Sequence, residues 1–336
     1  MPVQAQPSDI GQAPLPRALF SPRFISTGSV VIDLPMWVDH LPERGADVLA
    51  TSPGTVVGGG FNVVSAAARQ GVSVSLASPL GTGPNSAQVR VALAQEGIST
   101  LFDDMVGDTG QCIALVESTG ERTFITTLGV EAEPQREDLD ALRLFAGDYL
   151  YVSGYDLAYA SSAPVLAPWL ETLPEGVVLV IDTGPIVDEI DPELLRQVLC
   201  RVDVLTMNRR EAVLLQERFG MSDWSELSTL IRPGRLLVRR TGEFGCEVLQ
   251  NGCVDVTTVP AYPIAHAVDT TGAGDAHTGV LVASLMDGMD VLSAAERANV
   301  AAAITCQRQG PATCPTRDEI DHTMVAYKEM LRERAC

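Results

Sequence analysis

Short apolar runs alternate with stretches of helical period along most of the chain. Phe24 to Asp33 (FISTGSVVID) reads as a first strand. Asn62 to Gln70 follows as a helix stopped by Gly71, and VSVSLASPL as the next strand. Ser86 to Glu96 has helical spacing. QCIALVES and RTFITT then alternate apolar and polar residues on either side of a Thr119-Gly120 turn, the pattern of a sheet with one open face. From Pro134 the rhythm becomes βαβα, with DYLYVSG, VVLVID, VDVLTMN and RLLVRRT as strands between amphipathic segments. VLQNGCVDV predicts a hairpin about Asn251-Gly252, a dipeptide suited to a type I′ turn. The last third is helical over Ala273 to Met286, Leu292 to Gln307 and Thr316 to Arg334.

Such alternation predicts an α/β fold, a doubly wound and mostly parallel sheet with crossover helices, whose ligands bind beyond the carboxyl ends of the strands. Residues 34–53 and 111–127 break the rhythm and are expected to form a small β-sheet acting as a lid. The core then comprises 23–33, 54–110 and 128–336. Residues 1–22, rich in Pro, Gln and Ala, read as a loose extension without the charged start and apolar stretch of a signal peptide.

Composition narrows the chemistry. The formal net charge of -20 argues against a nucleic-acid partner, which the mean field would repel. No apolar run reaches the ~18 residues of a membrane span. The seven cysteines are scattered without a CxxC pair, so neither a disulfide framework nor a structural zinc site is expected, and a cytoplasmic location is. The sole lysine is Lys328, in a C-terminal segment that reads as a surface helix. A Walker-A lysine and a Schiff-base lysine are therefore excluded, and phosphate chemistry must rest on Arg, backbone N–H groups or metal.

The strongest local signal is Asp269-Thr270-Thr271-Gly272-Ala273-Gly274-Asp275, followed by AHTGVLVASLMDG. Small residues at 272–274 let the backbone approach a ligand closely, and the helix that begins there aims its N-terminus at an anion. Asp275, in the first helical turn, is placed to act as a base beside that anion hole. Taken alone, the same residues are equally a tight turn and a helix cap.

The whole string resembles the C-terminal signature of the ribokinase (PfkB) family, and further motifs follow in family order over about residues 24 to 320. Gly28-Ser29 and Asp33 resemble the first strand, and Gly58-Gly59-Gly60-Phe61-Asn62 the substrate loop. Asn208-Arg209-Arg210-Glu211 resembles N-x-x-E, and Thr241-Gly242 the T-x-G-x-x-G stretch. The resemblance implies an ATP-dependent carbohydrate kinase that phosphorylates a hydroxymethyl group, with Mg²⁺ as cofactor and K⁺ as an accessory ion. Asp275 would be the general base, with Gly272, Ala273 and Gly274 giving the anion-hole amides. Asp33, Gly59 and Asn62 would hold the sugar-like substrate. Asn208 and Glu211 would position Mg²⁺, Thr241 and Gly242 would line the nucleotide phosphates, and Asn299 would meet the base or ribose. Asp269, Thr271, Gly310 and Thr313 resemble a monovalent-cation site. Family members often form homodimers through the lid.

The chain also departs from the pattern. Gly58-Gly59 stands one residue closer to Asn62 than in GG-x-x-x-N, the loop has no lysine, and Gly81-Thr82-Gly83-Pro84-Asn85 lacks the acid of G-x-D-x-x-G. These differences fall on the substrate side. A nucleoside kinase of the same fold and a non-catalytic sugar- or nucleotide-binding regulator stay open as alternatives. A nicotinamide dehydrogenase would need G-x-G-x-x-G after the first strand, which GSVVID does not supply. With so little lysine, Arg122 on the lid-side strands is a candidate source of positive charge, its bland alternative being a surface arginine.

Overall fold

The structure, a computed structural model, describes residues 21–119, 121–250, 252 and 255–335. Nearly all of the expected N-terminal extension lies outside these residues, as do Gly120 and Asn251 of the two predicted turns. In chain order the strands are β1 (Arg23–Ser26), β2 (Val30–Val38), β3 (Val56–Gly59), β4 (Ser73–Leu76), β5 (Ser99–Thr100), β6 (Gln111–Glu117), β7 (Arg122–Thr127), β8 (Tyr149–Ser153), β9 (Val178–Asp182), β10 (Val204–Asn208), β11 (Leu236–Arg240), β12 (Cys246–Gln250) and β13 (Thr257–Val259). The helices are α1 (Gly60–Ala68), α2 (Pro84–Gln95), α3 (Arg136–Ala141), α4 (Gly154–Ala158), α5 (Ala163–Leu170), α6 (Pro192–Leu199), α7 (Arg209–Phe219), α8 (Ala273–Met286), α9 (Val291–Cys306) and α10 (Arg317–Ala335).

Among the described residues nine strands form one sheet in the order β13-β12-β11-β10-β9-β8-β1-β4-β5. From β11 to β5 every neighbour is parallel, and β12 and β13 add an antiparallel edge. Alternate residues of the central strands feed opposite layers. Tyr149, Tyr151, Val178 and Val180 pack towards α1, α8 and α9, while Leu150, Val152, Leu179 and Ile181 pack towards α5, α6 and α7. Covering on both faces explains why these strands read as unbroken apolar runs. Among the described residues no helix is long and apolar enough to cross a membrane.

A second sheet has the order β3-β2-β6-β7. It draws in more of the chain than its sequence suggests. The run from Phe24 to Asp33 is two strands, not one: β1 lies in the large sheet and β2 in the small one. Likewise β3 pairs with β2 in the small sheet, although 54–59 was assigned to the core. The break is a corner at Thr27-Gly28-Ser29. Gly28 N donates to Ser26 Oγ, and Ser29 N and Oγ both donate to the buried carboxylate of Asp156. Ser29 O in turn accepts from Gly60 N at 2.7 Å. Apolar residues continue on both sides of the corner, so hydrophobic pattern alone does not reveal it.

Candidate active site

The carboxyl ends of β8 to β11, the start of α8 and the inner face of the small sheet enclose a cleft of about 1150 Å³. Its floor is the loop leading into α8. Gly272 has φ 75°, and a Cβ there would lie 1.9 Å from Pro311 O, so a side chain is excluded twice over. This lets the first amides of α8 open on the cleft with the positive end of the helix dipole behind them. Gly272, Ala273, Gly274 and Asp275 all line it. Asp275 is half-buried in the first turn, and its Oδ2 accepts from Asn62 Nδ2 at 2.9 Å. Burial pushes its carboxyl up to about 6; the charge of Asp182 adds to this, while Asn62 and Arg240 oppose it.

Asp33, Gly59 and Asn62 line the same cleft from the opposite side. Asp33 sits on β2 against a glycine of β3: a Cβ at Gly58 would lie 1.9 Å from Asp33 Oδ2. The glycine run therefore makes room for a carboxylate as well as a turn. Burial, reinforced by repulsion from Asp275, pushes Asp33 up to about 7. Asn62 is buried, and while its Nδ2 serves Asp275, its Oδ1 has no protein partner. Such an atom is costly to leave unmatched. Tyr155 and Tyr159 flank this half, with ring centroids 6.2 Å apart.

Asn208 and Glu211 form a reciprocal capping box on α7. Glu211 N donates to Asn208 Oδ1 at 2.9 Å, and Asn208 N donates to Glu211 Oε2 at 2.7 Å. N-x-x-E is thus a local structural device as well as a candidate ion-positioning motif. Behind it stands a network the sequence did not announce. Arg240, at the end of β11, clasps Asp182, at the end of β9, with Nη1–Oδ2 2.5 Å and Nη2–Oδ1 3.0 Å. Its Nη1 also donates to Thr206 and Thr278, and Thr278 Oγ1 donates to Asp182 at 2.9 Å. Glu211 Oε2 lies 3.5 Å from Arg240 and accepts from Thr183 at 3.1 Å. Burial and the charge of Asp182 raise Glu211, with Arg240 opposing.

Gly242 lines the cleft with φ 67°. Thr241 is buried beside it, its Oγ1 without a protein partner. Asn299 also lines the cleft, but its Nδ2 donates to the carbonyls of Val259 and Pro260, so those hydrogens brace the β13 exit and are not free for a ligand. His277 is buried and lines the cleft beside Asn299; burial drives it down to about 3, so it is neutral. Asp269, Thr271, Gly310 and Thr313 do come together. Asp269 accepts from Thr271 N and Oγ1 and from Gly310 N, and Thr313 Oγ1 donates to Gly310 O. Arg122 of β7 reaches this group and pairs with Asp269.

A lysine-free anion loop facing a carboxylate pair has a counterpart among known proteins. The family of pfkB carbohydrate kinases matches residues 22–318 of the chain. The chain belongs to the pfkB family of carbohydrate kinases. It is 36% identical over 313 residues to the sugar kinase YegV of Escherichia coli strain K12, covering 90% of this chain and 93% of that one. Its fold is similar to that of ribokinase from Thermotoga maritima, at TM-score 0.77 and 21% identity over 91% of this chain and 99% of the other. It is also similar to ribokinase from Cryptococcus neoformans var. grubii, solved with ADP, at TM-score 0.74 and 23% identity over 90% and 99%. The chain is thus a phosphotransferase acting on an alcohol group.

Sequence reading of this PfkB kinase missed Arg240 and Asp182. Each is the last residue of an apolar strand, and they stand 58 positions apart. The available signal was a charge at two neighbouring strand ends, where ligands of a doubly wound sheet gather.

Proposed function

We propose that the kinase transfers the γ-phosphoryl group of ATP to a primary hydroxyl of a neutral sugar-like acceptor, with Asp275 as general base. The observation that carries this is the placement of the Asp275 carboxylate in the first turn of α8, above the amides of 272–274 and hydrogen-bonded to Asn62. A base with a pKa near 6 is ionised at neutral pH yet basic enough to take a proton as the new bond forms. The acceptor O–H gives its proton to Asp275, the oxygen bonds to the γ-phosphorus, and the bond to the β-phosphate oxygen breaks to release ADP. Gly272, Ala273 and Gly274 donate to the transferring oxygens, and Asp33, Gly59 and Asn62 orient the acceptor.

Asn208 and Glu211 line the cleft with hard oxygens of the kind Mg²⁺ takes, while Asp182 is held by Arg240. Asn208 and Glu211 would hold it through water. When bound, it would neutralise charge on the ATP phosphates. The small sheet, which carries Asp33 over the cleft, would serve as the lid that excludes water.

Neutrality of the acceptor follows from the lining. Asp33, Asp182, Glu211, Glu243 and Asp275 face the cleft against one arginine among the described residues, and Arg240 is already engaged by Asp182. A sugar acid or sugar phosphate would meet repulsion without a matching cation. The paired rings of Tyr155 and Tyr159 favour a second reading, a nucleoside whose flat base lies against them. A coupled assay of ADP release over neutral sugars, nucleosides and sugar acids separates these. Turnover of a neutral compound by the wild type, lost in Asp275→Asn, is expected. Preference for a sugar acid, or full activity of Asp275→Asn, would overturn the reading.

A further inference from the structure

Resemblance to ribokinases leads one to expect a monovalent cation beside the anion loop, held by oxygens of Asp269, Thr271, Gly310 and Thr313. The residues gather as expected, but the charge of the carboxylate among them is already met by a side chain. A carboxylate offers about four acceptor sites. Asp269 Oδ1 accepts from Thr271 N at 2.9 Å, from Thr271 Oγ1 at 2.7 Å and from Arg122 Nη2 at 2.5 Å. Its Oδ2 accepts from Gly310 N at 3.1 Å. Three donors, the guanidinium among them, crowd Oδ1. Thr313 Oγ1 donates to Gly310 O at 3.2 Å, which ties the 310–313 turn together. The positive charge in the group is a guanidinium carried on β7, with Arg122 Nη2 2.5 Å from Asp269 Oδ1 and Nη1 3.5 Å from Thr270 Oγ1.

We infer that Arg122 takes the place of the monovalent cation, fixing the 269–272 loop from the small sheet so that the kinase needs no K⁺. This rests on the kinase reading of the cleft. Arg122 is a positioning residue here: it touches Asp269 and Thr270, which precede the anion-hole amides, and does not line the cleft itself. Its charge anchors the outer end of the turn whose inner end is Gly272. Removing it leaves a half-buried carboxylate with an open acceptor site, which is what an added K⁺ could fill. The prediction is therefore specific in sign: potassium is irrelevant to the wild type and becomes useful once the arginine is gone.

The test uses the full chain in potassium, sodium or choline chloride at equal ionic strength. Two readouts are taken: the unfolding temperature, and calorimetric binding of a non-hydrolysable ATP analogue with Mg²⁺. Wild-type values should agree in all three salts. Arg122→Ala should bind the analogue about tenfold more weakly in choline, the size of one lost hydrogen bond to a charged group. Potassium should restore both its binding and its unfolding temperature. Arg122→Lys, which keeps the charge, should stay indifferent to potassium, and Asp269→Asn added to Arg122→Ala should abolish the rescue. Tighter binding or higher stability of the wild type in potassium than in choline overturns the inference, as does an Arg122→Ala protein that ignores potassium in both readouts. Absence of analogue binding by the wild type in every salt is a different failure: it removes the kinase reading, and this inference with it.

Discussion

Around Arg240, side chains from β9, β10, β11, α7 and α8 satisfy one another. Asp182, Thr206, Thr278 and Glu211 converge on one guanidinium, and each carboxylate has further donors. Around Asp33 the arrangement is sparser. Its carboxyl feels chiefly burial and the charge of Asp275, and the neighbouring Asn62 Oδ1 has no protein partner. The network about Arg240 is thus complete as folded, while Asn62 beside Asp33 keeps an unmatched oxygen, which on the proposed reading the acceptor would meet. A completed buried network is rigid and sensitive to the loss of any member. An unmatched polar site stores binding energy and discriminates strongly between ligands that can and cannot match it.

The contrast can be broken most sharply at the atom that serves both halves. Asp275→Asn keeps the shape and the Asn62 neighbour but loses the base, and kcat should fall by about 10²–10⁴ with little change in the affinity for ATP. Steady-state kinetics with varied ATP and acceptor measure this. Arg240→Leu should instead act on the fold: it leaves Asp182 and Glu211 buried without their counter-charge, which costs about 3–5 kcal/mol in urea unfolding. Unchanged stability would mean the network is not the unit described here.

On the acceptor half the expected effects are smaller. Asp33→Asn should raise KM for the acceptor about 10–100-fold, the loss of one charged hydrogen bond, and leave KM for ATP unchanged. The smallest effect is on stability against pH. Asp33 holds its proton up to about 7 and Asp275 up to about 6 in the folded chain, against about 3.9 for an unfolded Asp. Between these limits the folded state binds more protons, so raising the pH lowers stability. The gain in unfolding temperature on Asp33→Asn should therefore be absent near about pH 4 and present near about pH 8. Over the upper part of the same range the activity should rise as Asp275 ionises.

Much of the fold was legible because it rests on local pattern. The apolar runs of β8 to β11 and the amphipathic segments between them could only be buried strands and their covering helices. α8 was placed by a string whose small residues serve its own first turn, and Asp275 came with it. What escaped notice depends on distant partners. The corner at Thr27–Ser29 is held by Asp156, more than a hundred residues along the chain, and nothing near Gly28 signals it. Asp182 and Arg240 became a pair only because β9, β10 and β11 lie side by side. Asn299 lines the cleft, and the anchoring of its amide hydrogens by the carbonyls of 259 and 260, some forty residues back, has no local signal.

The small sheet has a consequence for how such a kinase can diversify. Asp33, Cys112, Phe124 and Thr126 reach the cleft from β2, β6 and β7, whereas Asp182, Glu211, Arg240 and Asp275 belong to the large sheet and its helices. On the proposed reading, substitutions in the first set would retune which alcohol is accepted while the second set keeps its internal geometry. Selection would then act on acceptor and chemistry separately, trading one alcohol for another through a handful of exchanges on three strands.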